Sequence, residues 1–414
     1  MSQPRPTVDD ATRFGNPGLG ELKPYPFEHL KRLVEQVACA GGPRIDLSVG
    51  EPKFPTPGFI LDALKAAAEE AGRYPATAGS VALRQGFTDW LARRYGLPAA
   101  ELDPERHVLP NLGSREALFA AVNCLFDRGD ARRPTVAVPN PGYQIYEGST
   151  LLAGGRVAYL PSTPATGFLE DLDAVPEAVW AGTQVLVVCS PANPTGAARD
   201  ADGWRRVLEL ADRHRFIVLA DECYADVYLD EDAPPPGLLE VSHALGRRGF
   251  ERCLVFHSLS KRSNAPGLRS GFVAGDAQLI AEFRRYRTYH GSAMSGVTQA
   301  ASIAAWQDDN HARDNRERYR ANFAAAAPLI QRVTPGTFSI GAFYLWLPVG
   351  GDDIEFTRRL LAREGVLVLP GSFMGRESGG HANPGAGYVR VAFVYDAETC
   401  AQAARALIRT LDGE

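Results

Sequence analysis

The 414-residue chain predicts an α/β protein, with a large domain built on a mostly parallel sheet flanked by helices and a smaller α+β domain. Three observations carry this. Between about residues 105 and 275, short apolar runs alternate with segments of helical spacing, the pattern of strands buried on both faces and covered by crossover helices. After about residue 290 the texture changes to an Ala-rich, charged stretch followed by strands of mixed polarity. The length itself exceeds what one small core can serve.

Residues 1–50 read as an N-terminal arm and part of the small domain, 51–290 as the large domain and 291–414 as the small C-terminal domain. The Pro/Gly-rich arm holds one amphipathic segment, Pro26–Val37. "IDLSVGEPKFPTP" (45–57) is a short strand ending in turn residues, and 58–96 holds two helices around "RYPATAGSVALRQGF". "TVAVP" (135–139), "QVLVVCS" (184–190), "FIVLAD" (216–221) and "CLVFHS" (253–258) are fully buried strands, with a helix over 202–215 between two of them. A long helical region (296–332) leads to the strands "AFYLWLPV" and "GYVRVAFV" and a closing helix near 397–411.

Composition narrows the function. Hydrophobic residues make up 45% and charged residues 22%, with a net charge of −5, so nothing draws the chain to nucleic acid. The six cysteines (Cys39, Cys124, Cys189, Cys223, Cys253, Cys400) include no CxxC pair and read as reduced thiols of a cytoplasmic protein. The polar N-terminus has no apolar core of a signal peptide. No apolar run approaches the roughly 18–20 residues that span a bilayer.

Ligands of open α/β sheets bind outside the carboxyl ends of the strands, and the notable polar residues cluster there. Asn193 in "PANPTG", Asp221 in "DECY" with Tyr224 three residues on, and Lys261 in "HSLSKRSNAPGLRSG" each follow an apolar run. Gly113 and Ser114 open the helical stretch "GSREALFAAVNCLF", whose first N–H groups can hold an anion. Taken singly, these are a helix cap, a turn and a solvated lysine. Together, an acid, an amide, a phenol, a lysine, an arginine and a phosphate-type helix start suit a phosphate-bearing aromatic cofactor.

The set resembles the fold-type I, class I/II pyridoxal-phosphate aminotransferases over nearly the whole chain, from "SVGEPKFPTP" to "YVRVAFV". Its signature is SxxK with an arginine eight residues after the lysine, NPTG, and D-x-x-Y, in that family's order. The resemblance implies that Lys261 bonds the aldehyde of pyridoxal 5′-phosphate, that Asp221 pairs with the pyridine nitrogen, and that Asn193 and Tyr224 hydrogen-bond the 3′ oxygen. It implies that Gly113, Ser114, Arg115, Ser258 and Arg269 surround the phosphate, and that Tyr143 of "NPGYQIY" stacks on the ring. Tyr74 of "RYPATAG" matches the tyrosine that reaches the partner subunit's phosphate, which implies a homodimer with shared sites. Arg390 matches the arginine that grips the substrate α-carboxylate, helped by the backbone of Gly50.

The chemistry needs these residue types. A carboxylate beside the pyridine nitrogen keeps it protonated, and a released lysine can carry the α-proton. An arginine fixes the α-carboxylate bidentately. "SLSKRSNAPGLRSGFVAGD", "YRTYHGSAMS", "GEPKFPTP", "GAFYLWLPVG" and "VLPGSFMGR" resemble bacterial N-succinyldiaminopimelate aminotransferases of lysine biosynthesis. That subgroup implies amino transfer from N-succinyl-LL-2,6-diaminopimelate to 2-oxoglutarate. Lys53 and Arg262 are candidates for the extra substrate carboxylates, or else a turn lysine and a solvated arginine. His290 and Ser292 are candidates for approach to the neighbouring subunit's site. Competing readings are an aminotransferase for aspartate, an aromatic or another amino acid, a C–S β-lyase, and a transcriptional regulator on the same fold. The "RSNAPG" between Lys261 and Arg269 receives no role beyond a turn.

Overall fold

Valine- and leucine-rich runs without polar interruption cannot leave either face in water, and five of them lie side by side. The computed structural model describes residues 15–37, 44–335 and 339–413; Cys39 and the start of the arm lie outside the described residues. In chain order the first eight strands are β1 (Ile45–Asp46), β2 (Val108–Asn111), β3 (Thr135–Asn140), β4 (Arg156–Pro161), β5 (Thr183–Cys189), β6 (Ile217–Asp221), β7 (Cys253–Ser258) and β8 (Gly271–Gly275). Seven of them form one sheet in the order β2-β8-β7-β6-β5-β3-β4. β4, β3, β5, β6 and β7 run parallel, and β8 is antiparallel to both its neighbours.

Strand periodicity sorts β5 between two cores. Leu186 and Val188 face one, packed with Trp90, Val207, Phe272 and Trp306. Val185 and Val187 face the other, packed with Ala117, Leu118, Ala121 and Phe256. Helices Val81–Tyr95 and Ala201–His214 cover the first face, and Ser114–Leu125 covers the second. The helix Ala201–His214 starts where the Asp200 carboxylate accepts from Gly203 N at 2.8 Å, and stops at Arg215 with φ +56°. Both ends follow ordinary capping chemistry.

The remaining strands are β9 (Tyr344–Pro348), β10 (Val366–Leu367), β11 (Leu369–Pro370) and β12 (Tyr388–Ala392). β11, β12 and β9 form a small antiparallel sheet, and β10 pairs with β1 in parallel. The helix Pro26–Gln36 buries Leu30 and Leu33 against Leu361, Leu367, Leu369 and Met374. The start of the described chain thus packs on its last third.

The single helical region expected over 296–332 is two helices, Gly296–Gln307 and Asn310–Gln331. The break has a physical cause. Asp308 is extended (φ −112°, ψ 122°), its carboxylate accepts from His311 N at 2.8 Å, and its carbonyl accepts from buried Arg262 at 3.0 Å. A side chain that caps the next turn and a carbonyl held by an arginine replace two helical hydrogen bonds.

Phe272 is fully buried, stacked 4.5 Å from Phe87 and edge-on to Trp306 at 5.0 Å. Phe272→Ala should lower unfolding free energy by about 3–5 kcal/mol, read as an earlier denaturant midpoint, whereas Phe272→Leu should cost under about 1.5 kcal/mol.

Candidate active site

A cavity of about 600 Å³ opens at the carboxyl ends of β5, β6 and β7. Each strand delivers one polar group at the point where its apolar run ends. Asp221 is the last residue of β6 and 2% exposed. Ser258 ends β7 and caps the one-turn helix Leu259–Arg262, which places Lys261 in the cavity wall. Asn193 follows β5 in a turn, and Tyr224 follows Asp221 in another.

Burial raises the Asp221 carboxyl above the usual aspartate range, while the Tyr146 phenol, the Cys223 backbone and the Lys261 charge pull it back. Tyr146 donates to Oδ2 at 2.7 Å and Cys223 N to Oδ1 at 3.2 Å. A buried carboxylate is costly without a cation, so this position suits a protonated ring nitrogen. Burial, with Arg390 and Arg269 adding to it, lowers the Lys261 ammonium to about 8. Its Nζ donates to the Gly50 carbonyl. A lysine poised near neutrality can act as nucleophile and as proton carrier.

Arg390, on β12 and 4% exposed, donates to Asn193 Oδ1 at 2.7 Å and to the Ser48 carbonyl at 2.6 Å. Its Nε has no hydrogen-bond partner among the described residues. A buried guanidinium at the cavity wall with no carboxylate partner among the described residues suits an incoming carboxylate. At the opposite wall, Gly113 precedes the helix Ser114–Leu125 with φ +93°. A side chain there would lie 2.5 Å from Arg269 Nη2, so only glycine lets that arginine approach the helix start. Ser114, Arg115 and Arg269 line the cavity beside this anion-binding end. These groups fit a phosphate-bearing aromatic aldehyde.

The structure brings Gly50, Ser114, Arg115, Tyr143, Asn193, Asp221, Tyr224, Ser258, Lys261, Arg269 and Arg390 around one cavity, with Gly113 behind Arg269. Tyr74 is fully exposed and lies outside it. Lys53 also lies outside, beside Glu51 at 3.4 Å. Arg262 is neither solvated nor at the cavity. It is 2% exposed, bound to Asp226 at 2.7 Å and Asp309 at 2.6 Å, between Trp90 and Trp306. His290 bonds Ser292 at 2.8 Å and lines a neighbouring cavity of about 670 Å³ that shares Tyr25, Arg115 and Arg269 with the first.

"RSNAPG" acquires a role in this frame. Ser263 bonds His311 at 2.8 Å, Asn264 bonds Asn315 at 2.8 Å, and Asn315 donates to the Lys261 carbonyl at 3.0 Å. The segment fastens the lysine's backbone to the helix Asn310–Gln331. Sequence reasoning missed Tyr25, Tyr146 and Tyr344, which also line the cavity. Tyr146 stands one helical turn beyond Tyr143 in "NPGYQIY", and that spacing was its signal. Tyr25 and Tyr344 come from distant segments and had none.

Fold and site together define an enzyme class that works through an aldehyde cofactor held by a lysine. The chain belongs to the aminotransferase class I and II family, whose model matches residues 43–407. Pyridoxal 5′-phosphate is the cofactor of this family, and the protein is a pyridoxal-phosphate-dependent aminotransferase. Among solved structures it is similar to an aminotransferase from Neisseria meningitidis (45% identity, TM-score 0.90, covering 95% of this chain and 99% of that one). It is also similar to a probable N-succinyldiaminopimelate aminotransferase from Thermus thermophilus (28%, TM-score 0.81, 93% and 100%). A curated relative, LL-diaminopimelate aminotransferase of Nitratidesulfovibrio vulgaris, is 32% identical over 392 residues, 93% of this chain and 96% of that one. No helix among the described residues is long and apolar enough to cross a membrane.

The lowered Lys261 value gives a test of whether this lysine is the group that bonds the cofactor's aldehyde. Only the neutral amine attacks an aldehyde, so cofactor capture by the apoprotein should be flat above about 8 and fall roughly tenfold per unit below it. Stopped-flow absorbance after mixing apoprotein with pyridoxal phosphate measures this; a midpoint near 10.5, the ordinary lysine value, would contradict the burial argument.

Proposed function

We propose that the protein transfers the amino group of N-succinyl-LL-2,6-diaminopimelate to 2-oxoglutarate, forming glutamate. The observation that carries this is the pair of abutting cavities. The first holds Lys261 and the Arg390 guanidinium, and the second adds Lys23, His290 and Arg376 beside Glu28, Glu116 and Glu147. Arg115 and Arg269, shared by both, serve the phosphate in this reading, which leaves Lys23, without a carboxylate partner among the described residues, as a cation of the second cavity for a far carboxylate. A succinylated diaminopimelate carries carboxylates at its reacting end and at its far end, and long substrates need cations at both. The name of the Thermus structure and the resemblance of the Lys261 segment support the succinylated form. A second reading, free LL-diaminopimelate, is favoured by the names of the curated relatives.

When bound, pyridoxal phosphate supplies an aldehyde that captures the amino group and a ring that delocalises the electrons of the Cα–H bond. In this reading Asp221 holds the ring nitrogen protonated, and Tyr146 holds Asp221 in place. Asn193 and Tyr224 hydrogen-bond the 3′ oxygen, and Tyr143 covers the ring face. Gly113, Ser114, Arg115, Ser258 and Arg269 hold the phosphate against the helix start. Arg390 orients the α-carboxylate so that the Cα–H bond faces Lys261. Lys261 would take that proton from Cα as its neutral amine and, as its ammonium, return it to the carbon on the other side of the amino nitrogen, with a pKa lowered to about 8 by burial. The closed floor, with buried Tyr224, Tyr344 and Asp221, excludes water from the transfer. The same reading includes a homodimer, because fully exposed Tyr74 has no contact with its own cavity and is free to serve a neighbour's.

Three measurements test this. With 2-oxoglutarate as acceptor and glutamate as readout, kcat/KM should be highest for the succinylated donor, lower for free LL-diaminopimelate and lower again for aspartate. Preference for free LL-diaminopimelate selects the second reading, and preference for aspartate removes both. Lys261→Ala should abolish turnover with the fold retained. Sedimentation should give twice the chain mass, and a monomer at working concentration would remove the shared-site reading of Tyr74.

A further inference from the structure

Tyr344 stands on β9 of the small sheet, and its hydroxyl lies 2.8 Å from that of Tyr224, just past β6 of the large sheet. Both side chains are buried, at 2% and 4% exposure. The Arg390 guanidinium sits 4.4 Å from the centre of the Tyr344 ring. Gly50 lacks a side chain where Tyr344 needs room, since a Cβ there would fall 1.8 Å from the Tyr344 oxygen. The carbonyl of that same glycine accepts from Lys261. One tyrosine therefore touches three groups of the site.

A phenol has one proton to give. When two phenols pair, one donates and the other keeps its proton for a different acceptor. The arginine over the Tyr344 ring favours negative charge on that ring and its oxygen, which makes Tyr344 the stronger donor. Burial raises both phenols, but Arg390 acts against the rise chiefly at Tyr344. Tyr224 is then the acceptor, with its own proton left for the cavity it lines.

We infer that Tyr344 is a positioning residue for Tyr224, its hydroxyl directing and polarising the Tyr224 O–H toward the cofactor's 3′ oxygen. The inference rests on the reading of Tyr224 as donor to that oxygen. Donation to an anionic oxygen stabilises it and loosens the proton it shares with the lysine-bound nitrogen. Removing the Tyr344 hydroxyl weakens Tyr224 as donor, so that proton is held to higher pH.

The test follows the visible absorbance of the cofactor-loaded protein against pH, without substrate, in Tyr344→Phe, Tyr224→Phe and the double variant. Tyr344→Phe should raise the spectral midpoint by roughly half a unit, Tyr224→Phe by more, and the double variant no further than Tyr224→Phe alone. Because the phenyl ring still lies under Arg390, Tyr344→Phe should lower kcat while KM for the amino donor stays within about twofold. A purely structural role would shift thermal stability and leave the spectral midpoint unmoved. If Tyr224→Phe moves the midpoint and Tyr344→Phe does not, the inference is overturned. If neither moves it, the assignment of Tyr224 fails and the inference falls with it.

Discussion

The site depends on a charge placed where the sheet is driest. β6 is apolar up to its last residue, and that residue is Asp221, almost without exposure. An ionised carboxyl there is tolerable only if something supplies positive charge and hydrogen bonds. The protein supplies two hydrogen bonds, from Tyr146 and the Cys223 backbone. Lys261 supplies only a distant charge, because its own amine is engaged with Gly50. In the proposed reading the compensating cation would be the ring nitrogen of the cofactor, and the burial of Asp221 would give that nitrogen its anchor. The stack of parallel strands makes this possible, since neighbouring carboxyl ends bring an acid, a lysine and an amide to one edge.

A second constraint joins the two sheets. Arg390 on β12 bonds Asn193 beyond β5, Tyr344 on β9 bonds Tyr224 beyond β6, and Gly50 beyond β1 accepts from Lys261 beyond β7. Each contact pairs a residue from the end of a large-sheet strand with one from the small sheet or the segment that pairs with it. Arg390, the proposed carboxylate clamp, is therefore not carried by the large sheet at all. Its geometry relative to Lys261 depends on how the small sheet seats, which explains why the first strand and the N-terminal helix pack against the chain's last third. Losing any of these three contacts would shift a group that lines the cavity, not only a structural one.

Much of this was legible from local chemistry. Apolar runs ending in Asp, Asn, Ser or Lys reveal strand ends, and strand ends reveal the cavity, so Lys261, Asp221, Asn193 and Tyr224 could be placed before any coordinates. What was illegible needed partners far away in sequence. Arg262 beside the active lysine looked like a surface or substrate cation, yet Asp226, Asp309 and two tryptophans enclose it. No local pattern distinguishes an arginine that will be buried against Asp226 and Asp309 from one in water. The helix break at Asp308 was hidden for the same reason, because an Ala-rich charged region reads as continuous until Arg262 claims a carbonyl. "RSNAPG" looked like filler because its partners, His311 and Asn315, lie some fifty residues on.

Substrate choice is the property least written in any one segment. The second cavity is walled by residues near 23–28, by the start of the helix at 115–119, by Gln144–Gly148, and by Arg269, His290 and Arg376. Some of that charge is already spent, since Arg376 grips Glu147 through two bonds and Glu116 holds buried Arg287. What remains unpaired is a cationic face formed by Arg115 and Arg269, with Tyr25 of the N-terminal arm lying 5.4 Å from the Arg115 guanidinium. The arm thus contributes Tyr25 to the wall beside that face. The second cavity is thus built where a helix start, a strand-end loop and an arm that packs on the opposite end of the chain meet. The catalytic groups, by contrast, each follow from the strand that carries them.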